Sequence, residues 1–220
     1  MSQFTLDVEG PHRGRPVFMA GKPIAEAKVA MILLHGRGAD ADDILGLAEE
    51  FAQTEIAYIA PTAASNSWYP NSFLVPFARN EPWLSSALAA VASLLTQVAA
   101  AGIPAERTVL LGFSQGACLT LESVARHAHR YGAAIALSGA LIGPEDAPRD
   151  YTGSLDGTPV FLGCSDKDFH IPKQRVEDSA AILQRLGGEV DARIYPNMGH
   201  TVNRDEIKAV KSILSTLLAN

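Results

Sequence analysis

Residues 108–120 constrain this chain more than any other segment, because they hold a serine between two glycines where a strand pattern passes into a helix pattern. The segment reads TVLLGFSQGACLT, with Gly112-Phe113-Ser114-Gln115-Gly116 at its centre. A G-x-S-x-G turn between a strand and a helix is a nucleophile elbow, which exposes the serine hydroxyl at the end of a sheet. Glycine is needed at both ends because a side chain there would collide with neighbouring backbone. The segment therefore predicts a nucleophilic serine on a sheet scaffold.

Short apolar runs alternate with helical patterns from residue 29 onward. Continuously apolar runs such as VAMILL are typical of strands buried on both faces of a parallel sheet. The predicted strands are residues 29–34, 56–60, 109–111, 133–137, 160–162 and 190–195, and the predicted helices are about 40–51, 83–101, 114–129, 172–186 and 204–218. This alternation predicts an α/β fold with a mostly parallel central sheet and helices on both faces. Residues 4–9 predict an additional edge strand, with 17–20 as the second arm of a hairpin.

The chain length of 220 residues suits one domain, covering residues 1–220. Residues 62–82 show no secondary-structure period and carry four aromatic side chains among Asn, Ser and Pro. Loops of this length inside a compact domain are often lids or binding loops. We therefore predict that 62–82 is a lid or a pocket loop.

A serine nucleophile needs a base and an acid that orients the base. In a sheet with this elbow the chain order is serine, then acid, then histidine. His200 follows the last predicted strand and is the expected base. The acid is Asp166 or Asp168, and Asp168 is preferred because the next helix begins near Pro172, which leaves Asp168 in the turn facing His200.

An oxyanion hole needs two backbone N–H donors that point to the place where negative charge develops. One donor is the residue after the nucleophile, Gln115. The other is expected from the loop after the first buried parallel strand, His35-Gly36-Arg37-Gly38. We predict the N–H of Arg37, with a simple glycine-rich turn as the alternative.

Four segments, Leu34-His35-Gly36-Arg37-Gly38, Gly112-Phe113-Ser114-Gln115-Gly116, Asp168-x-x-Ile171-Pro172 and Gly199-His200, occur in one order along the chain. Together they resemble the phospholipase/carboxylesterase family of α/β-hydrolases, which includes bacterial carboxylesterases and acyl-protein thioesterases. The resemblance implies an α/β-hydrolase fold and a cofactor-free hydrolase of esters or thioesters. It also implies Ser114, Asp168 and His200 as the triad, Arg37 and Gln115 as oxyanion donors, and a possible homodimer.

Several residues are candidates for substrate contact. Five aromatic residues could form an apolar acyl pocket or a lid, or they could bury the long loop against the sheet: Trp68, Tyr69, Phe73, Phe77 and Trp83. His170 could line the pocket. The Arg37 guanidinium could hold a substrate carboxylate, although a surface salt bridge is the favoured alternative. No histidine pair has metal-ligand spacing on one element, so no metal site is predicted.

The leading functional hypothesis is a serine hydrolase for small- to medium-chain carboxylic esters, acting through an acyl-enzyme. The alternatives are an acyl-protein thioesterase or lysophospholipase, and a non-catalytic binding protein with the same fold. A net charge of −6 without a basic cluster argues against nucleic acid as a partner. We expect a small-molecule ester partner, no stable membrane insertion and a cytoplasmic location, because the N-terminus does not resemble a signal peptide and the two cysteines fit buried free thiols.

Overall fold

A seven-stranded sheet forms the centre of the fold in the computed structural model, which describes residues 4–219. The strands are β1 (Val17–Gly21), β2 (Val29–Leu34), β3 (Ile56–Pro61), β4 (Thr108–Phe113), β5 (Ala133–Leu137), β6 (Pro159–Ser165) and β7 (Glu189–Tyr195). Their spatial order is β1-β3-β2-β4-β5-β6-β7. Strand β1 runs antiparallel to β3, and the other neighbouring pairs are parallel. The predicted α/β fold with a mostly parallel sheet is confirmed.

Helices cover both faces of this sheet. They are α1 (Ala41–Glu49), α2 (Trp83–Ala100), α3 (Gln115–Arg126), α4 (Lys173–Arg185) and α5 (Arg204–Ala219). Successive side chains of a strand point to opposite faces, so a fully apolar strand such as β2 supplies two cores. Ile32 and its alternate neighbours pack with α2, α3 and α4, whereas Met31 and its neighbours pack with α1 and α5.

The N-terminal segment corrects one prediction. Residues 4–9 are not a strand, and β1 pairs with β3 instead of forming a hairpin with them. The backbone of Thr5 is bound at both its N–H and its C=O by the side-chain amide of Gln97 on α2, at 3.0 and 2.7 Å. Phe4 and Leu6 are buried in the core on the α2 side. The alternation of apolar and polar residues at 4–9 thus reflects packing against α2. The Gln97 side chain bonds the Thr5 backbone as a neighbouring strand would.

Helix α2 has 18 residues with a mean hydropathy of 1.5, and within residues 4–219 it is the one helix that by length and composition could cross a membrane. Those two properties alone are weak evidence, because core helices share them. Leu84, Leu94 and Val98 of this helix are buried against the sheet. The contacts therefore account for its apolar character as one covering layer of the core.

The parallel strands direct the functional segments to one edge of the sheet. The turn after β2, the elbow after β4, and the loops after β6 and β7 all follow carboxyl ends of parallel strands. Ligands of open α/β sheets bind at this edge. The capping box at α1, where Asp40 accepts from the N–H groups of Asp42 and Asp43, ends the first of these turns and fixes where the helix begins.

Candidate active site

The elbow between β4 and α3 holds Ser114 in a strained backbone conformation, with φ 54° and ψ −117°. A β-carbon on Gly112 would overlap the backbone of Gly116, and one on Gly116 would overlap the carbonyl of Leu34. The Ser114 N–H donates to the Leu137 carbonyl at 2.9 Å, which ties the turn to β5. The surrounding backbone therefore imposes a conformation that a serine would otherwise avoid.

Three side chains from three different loops form one hydrogen-bonded chain. The Nε2 atom of His200 lies 2.8 Å from the Ser114 hydroxyl, and its Nδ1 atom lies 2.6 Å from Asp168 Oδ2. With the ring proton on Nδ1, the imidazole donates to the carboxylate and accepts from the hydroxyl. This is the arrangement in which an imidazole can remove a proton from serine.

The Asp168 carboxylate is bound on both oxygens. Oδ2 faces His200, and Oδ1 accepts from the N–H groups of His170 and Ile171 at 2.8 and 3.0 Å. Burial opposes ionisation of this carboxyl, but the hydrogen bonds from His200, His170 and Ile171 outweigh it, and the pKa of Asp168 lies below its ordinary value. The alternative acid, Asp166, instead accepts from the Asn197 N–H at 2.7 Å. Asp168 is thus the carboxylate that contacts the imidazole.

The turn after β2 brings a second backbone donor to the elbow. A β-carbon on Gly36 would lie 3.5 Å from the Ser114 β-carbon, so this glycine is in direct contact with the elbow. Within residues 4–219 the Arg37 N–H has no protein acceptor. The Gln115 N–H belongs to the first turn of α3, where helices leave donors unpaired. Both N–H groups predicted as oxyanion donors therefore belong to turns beside the serine.

A cleft of about 450 Å³, which we call the first cleft, opens beside the serine. It is lined on one side by residues of the 62–82 loop and on the other by the loops after β6 and β7. The lining consists of Gly36, Arg37, Ala39, Tyr69, Pro70, Asn71, Ser72, Phe73, Phe113, Ser114, Gln115, Cys118, His170, Ile171 and His200. Phe73 and His170, both predicted from the sequence, belong to it, and the His170 ring packs edge-on against His200 with centroids 4.9 Å apart.

The structure corrects the prediction for Trp68 and Trp83, which do not belong to the lining described for the first cleft. Trp68 is completely buried, and its indole N–H donates to the His35 carbonyl at 2.9 Å. Trp83 packs against the core and its ring meets His12 edge-on. Trp68 packs the 62–82 loop against the core, which was the alternative interpretation, and Trp83 packs against the same core from the start of α2.

Among residues 4–219 the Arg37 guanidinium does not form the surface salt bridge that was the favoured interpretation. It donates to the carbonyls of Pro70 and Asn71 at 2.9 and 2.6 Å, and to the Ser67 hydroxyl at 3.2 Å. These are contacts to the loop that walls the first cleft. The fork of the guanidinium suits two backbone carbonyls as well as it suits a carboxylate, and no sequence pattern distinguishes the two uses.

The side chain of Gln115 also binds the backbone of the 62–82 loop. Its oxygen accepts from the Trp68 N–H at 2.8 Å, and its nitrogen donates to the Tyr69 carbonyl at 2.8 Å. Gln115 is buried, so these two bonds satisfy backbone groups that water cannot reach. The residue after the nucleophile therefore both offers a backbone N–H and fixes the wall of the first cleft.

Two further histidines are structural. The ring nitrogens of His35 contact the Gly36 carbonyl at 2.7 Å and the Ala63 N–H at 3.0 Å, and burial lowers its pKa. His12 contacts the Trp68 carbonyl and the Ala64 N–H in the same way. Both rings therefore anchor the start of the 62–82 loop, a role that their sequence context did not indicate. Among the described residues no group of three His, Cys, Asp or Glu side chains could hold a metal.

The first cleft also contains Cys118, which sequence reasoning did not assign to it, beside the pocket candidate Tyr69. Cys118, one turn after the serine on α3, is buried at its floor, and Tyr69 is buried with its hydroxyl facing the thiol. Burial raises the pKa of Cys118 to about 12, so the thiol stays protonated at neutral pH. The i+4 spacing from Ser114 was the available signal, since residues four apart share one helix face.

The chain is similar in sequence to known esterases and thioesterases. The model of the phospholipase/carboxylesterase family matches residues 18–218. Acyl-protein thioesterase 1 of Kluyveromyces lactis is 31% identical over 138 residues, which are 61% of this chain and 60% of that protein. Carboxylesterase SOBER1 of Arabidopsis thaliana is 24% identical over 204 residues, covering 84% of this chain and 89% of the relative. The chain thus spans little more than half the length of some curated relatives and most of others.

Solved structures agree with this assignment. The phospholipase/carboxylesterase from Dyadobacter fermentans has 44% identity and a TM-score of 0.88, and the match covers 91% of this chain and 96% of the other. Esterase PE8 has 25% identity and a TM-score of 0.77, covering 92% and 98%. With the parallel sheet, the serine elbow and a family match over nearly its whole length, the chain belongs to the phospholipase/carboxylesterase family of α/β-hydrolases.

Proposed function

We propose that this protein is a serine hydrolase that cleaves small- to medium-chain carboxylic esters through an acyl-enzyme. The observation that carries the proposal is the continuous hydrogen-bonded chain from Ser114 through His200 to Asp168 at the mouth of the first cleft. A serine hydroxyl is a weak nucleophile at neutral pH and needs such a base. Membership of an esterase and thioesterase family supports the same reaction class.

Acylation begins when His200 Nε2 accepts the hydroxyl proton and Ser114 Oγ attacks the ester carbonyl carbon. The negative charge that forms on the carbonyl oxygen is stabilised by the N–H groups of Arg37 and Gln115. The imidazolium then gives its proton to the alcohol oxygen as the C–O bond breaks. In deacylation His200 accepts a proton from water, which attacks the acyl carbon. The imidazolium then returns the proton to Ser114 Oγ as the carboxylic acid leaves.

Asp168 orients the imidazole and stabilises its cationic form. Its lowered pKa supports this role, because a carboxyl that is ionised across the neutral range presents a full negative charge to Nδ1. The His170 and Ile171 N–H bonds hold the second oxygen in place. Besides the ester and water, the steps described use side chains and backbone groups of this chain.

The size of the first cleft supports a short acyl group. Its volume of about 450 Å³ is near the lower end of the ~300–1,000 Å³ range of ligand pockets. The buried side chains of Tyr69, Phe73 and Cys118 close it on the inner side. An acyl chain of a few carbons fits these boundaries better than a long fatty acyl chain.

Relatives that are named acyl-protein thioesterase 1 support a second candidate, a hydrolase of long-chain thioesters or lysophospholipids. A series of p-nitrophenyl esters from C2 to C16 separates the two. We expect kcat/KM to be highest between about C2 and C8, and Ser114→Ala to hydrolyse none of the esters. A maximum at C12 or longer favours the second candidate and overturns the preference for short acyl chains.

A further inference from the structure

A second cleft, of about 410 Å³, opens on the other side of His200. It shares Gly36, Ala39, Phe113 and His200 with the first cleft. Its own walls come from the turn after β2, from α1 and from the loop before α5, and consist of His35, Asp43, Ile44, Leu47, Thr201 and Val202. The Phe113 ring packs against the His200 ring with centroids 5.1 Å apart, so this pair forms the ridge between the two clefts.

The two clefts differ in which catalytic groups line them. Ser114, Gln115 and Cys118 line the first cleft and are not part of the lining described for the second. His200 lines both. In ester cleavage the acyl group becomes bonded to the serine, whereas the leaving oxygen must lie beside the imidazole that protonates it. A group that contacts His200 but not Ser114 therefore matches the alcohol half of the ester.

We propose that the second cleft binds the alcohol part of the substrate and selects uncharged alkyl or aryl alcohols. The inference rests on the proposed function and assigns the acyl part to the first cleft. The step is balanced within the ester: the acyl C–O bond breaks, the electron pair stays on the alcohol oxygen, and His200 Nε2–H supplies the proton. The alcohol then leaves through the second cleft while the acyl group remains on Ser114.

The side chains that line the second cleft favour an uncharged, apolar alcohol group. Ile44 is buried, and Leu47 and Val202 are half-buried with apolar surface toward the cleft. Asp43 is the one charged side chain in the lining described, and its carboxylate already accepts from the Asp40 N–H at 3.1 Å. A phosphate or carboxylate on the alcohol would be repelled by this negative charge, and the lining described holds no permanent cation to offset the repulsion, since His200 is charged only between the two proton transfers. Apolar contact is therefore the attraction that this cleft offers.

Leu47 is the position that tests the assignment, with Leu45 as its matched control. Both leucines lie on α1 and are half-buried against the same core, but Leu45 does not line the second cleft. We would measure kcat/KM for ethyl, butyl and hexyl butyrate, whose alcohols have similar leaving-group strength. A second series, ethyl acetate to ethyl hexanoate, varies the acyl part alone.

For the wild-type enzyme we expect kcat/KM to rise about twofold to fourfold per added pair of alcohol carbons, well below the roughly 15-fold that full burial of two methylene groups would give, because the cleft is open to solvent on one side. Leu47→Ala should flatten this rise, and Leu47→Trp, which fills the cleft, should reverse it. The hexanoate-to-acetate ratio should keep its wild-type value in both variants. Leu45→Ala should keep both ratios.

If Leu47 variants change the acyl series and leave the alcohol series as in the wild type, the assignment of the second cleft is wrong although the enzyme is an esterase. The same holds if Leu45→Ala and Leu47→Ala change the alcohol series equally. If the wild-type enzyme hydrolyses none of the esters, the proposed function fails and the assignment fails with it.

Discussion

Two irregular segments meet at Ser114 and are held in different ways. The base loop, residues 196–203, carries His200 between β7 and α5, and the pocket loop, residues 62–82, walls the first cleft. The base loop is anchored by Glu206, three residues after Asn203, and by Ser165 and Asp166 at the end of β6, which accept from its backbone N–H groups at 3.1 and 2.7 Å. Anchors of the pocket loop come from His12, His35, Arg37 and Gln115, which are 28 to 56 residues away from their partners.

Loop length and the position of the anchors explain why one loop could be anticipated and the other could not. The base loop is a short connection between a predicted strand and a predicted helix, and its distant anchors, Ser165 and Asp166, follow the neighbouring predicted strand of the same parallel sheet. The pocket loop depends on side chains that only the finished fold brings near it. The four predictions below test whether the base loop controls the reaction while the pocket loop controls stability and substrate fit.

The largest effect is expected at the carboxylate that binds the base. Asp168→Asn keeps the shape of the side chain but removes the negative charge, and its amide can face His200 with a donor. We expect kcat to fall about 10⁴-fold, as in comparable triads, with KM little changed. Asp166→Asn is the control, because Asp166 contacts the loop backbone and not the imidazole. A loss of similar size in both variants would show that loop structure and not charge is responsible.

The pocket loop should respond most to Gln115. Gln115→Ala removes both amide contacts and leaves the Trp68 N–H buried without its acceptor, whereas the Tyr69 carbonyl keeps the Ser67 hydroxyl and the backbone N–H of residue 115 remains. We expect a loss of about 2–4 kcal/mol in the free energy of unfolding, measured in urea, and a higher KM. Gln97→Ala removes a similar two-bond clamp at Thr5, far from the site. Gln97→Ala should leave KM at the wild-type value. A rise in KM as large as that in Gln115→Ala would contradict a specific role of Gln115 in the pocket loop.

The base loop should show a pH-dependent stability through Glu206. Its carboxylate accepts from the Asn203 N–H at 2.7 Å, and its other oxygen is buried without a described partner. Burial raises the pKa of Glu206 to about 7 from an ordinary 4.5. The folded protein therefore holds this proton more tightly than the unfolded chain, so the stabilisation is complete below pH 4.5 and is lost as pH rises through about 7.

Glu206→Gln cannot titrate and keeps the bond to Asn203. Between pH 5 and pH 8 the wild type should lose up to about 3 kcal/mol more unfolding free energy than this variant. Urea denaturation at the two pH values measures the difference. Parallel curves for the two proteins would mean that Glu206 is ionised in the folded state at both.

The smallest effect is expected from the exposed clamp on the pocket loop. Arg37→Ala removes the donors to Pro70 and Asn71, but water can replace them, so the stability should fall by about 1 kcal/mol or less. Lys cannot bind two carbonyls as a fork, and Arg37→Lys should recover less than half of the loss. The backbone N–H of residue 37 is present in each variant. A fall in kcat above about tenfold would therefore contradict a role limited to the loop.

The sheet and the serine–aspartate–histidine order were accessible from the sequence because they follow from local patterns. These patterns are an apolar run for each strand, two glycines for the elbow, and residues at strand ends for the site. The contacts that Trp68 and Arg37 make in the fold could not be predicted from the sequence. An indole can line a pocket or fill a core, and a guanidinium can bind a substrate or a carbonyl. Only the packing of His12, His35 and Gln115 around the loop decides between these uses.

The central claim is that Ser114 is a nucleophile activated by His200. The most direct measurement is labelling of the folded protein with a fluorophosphonate, followed by mass mapping of the modified peptide. We expect one adduct, on Ser114, no adduct in Ser114→Ala or in heat-denatured protein, and strongly slowed labelling in Asp168→Asn. Absence of labelling in the folded wild type, or equal labelling of Ser114→Ala, would contradict the claim.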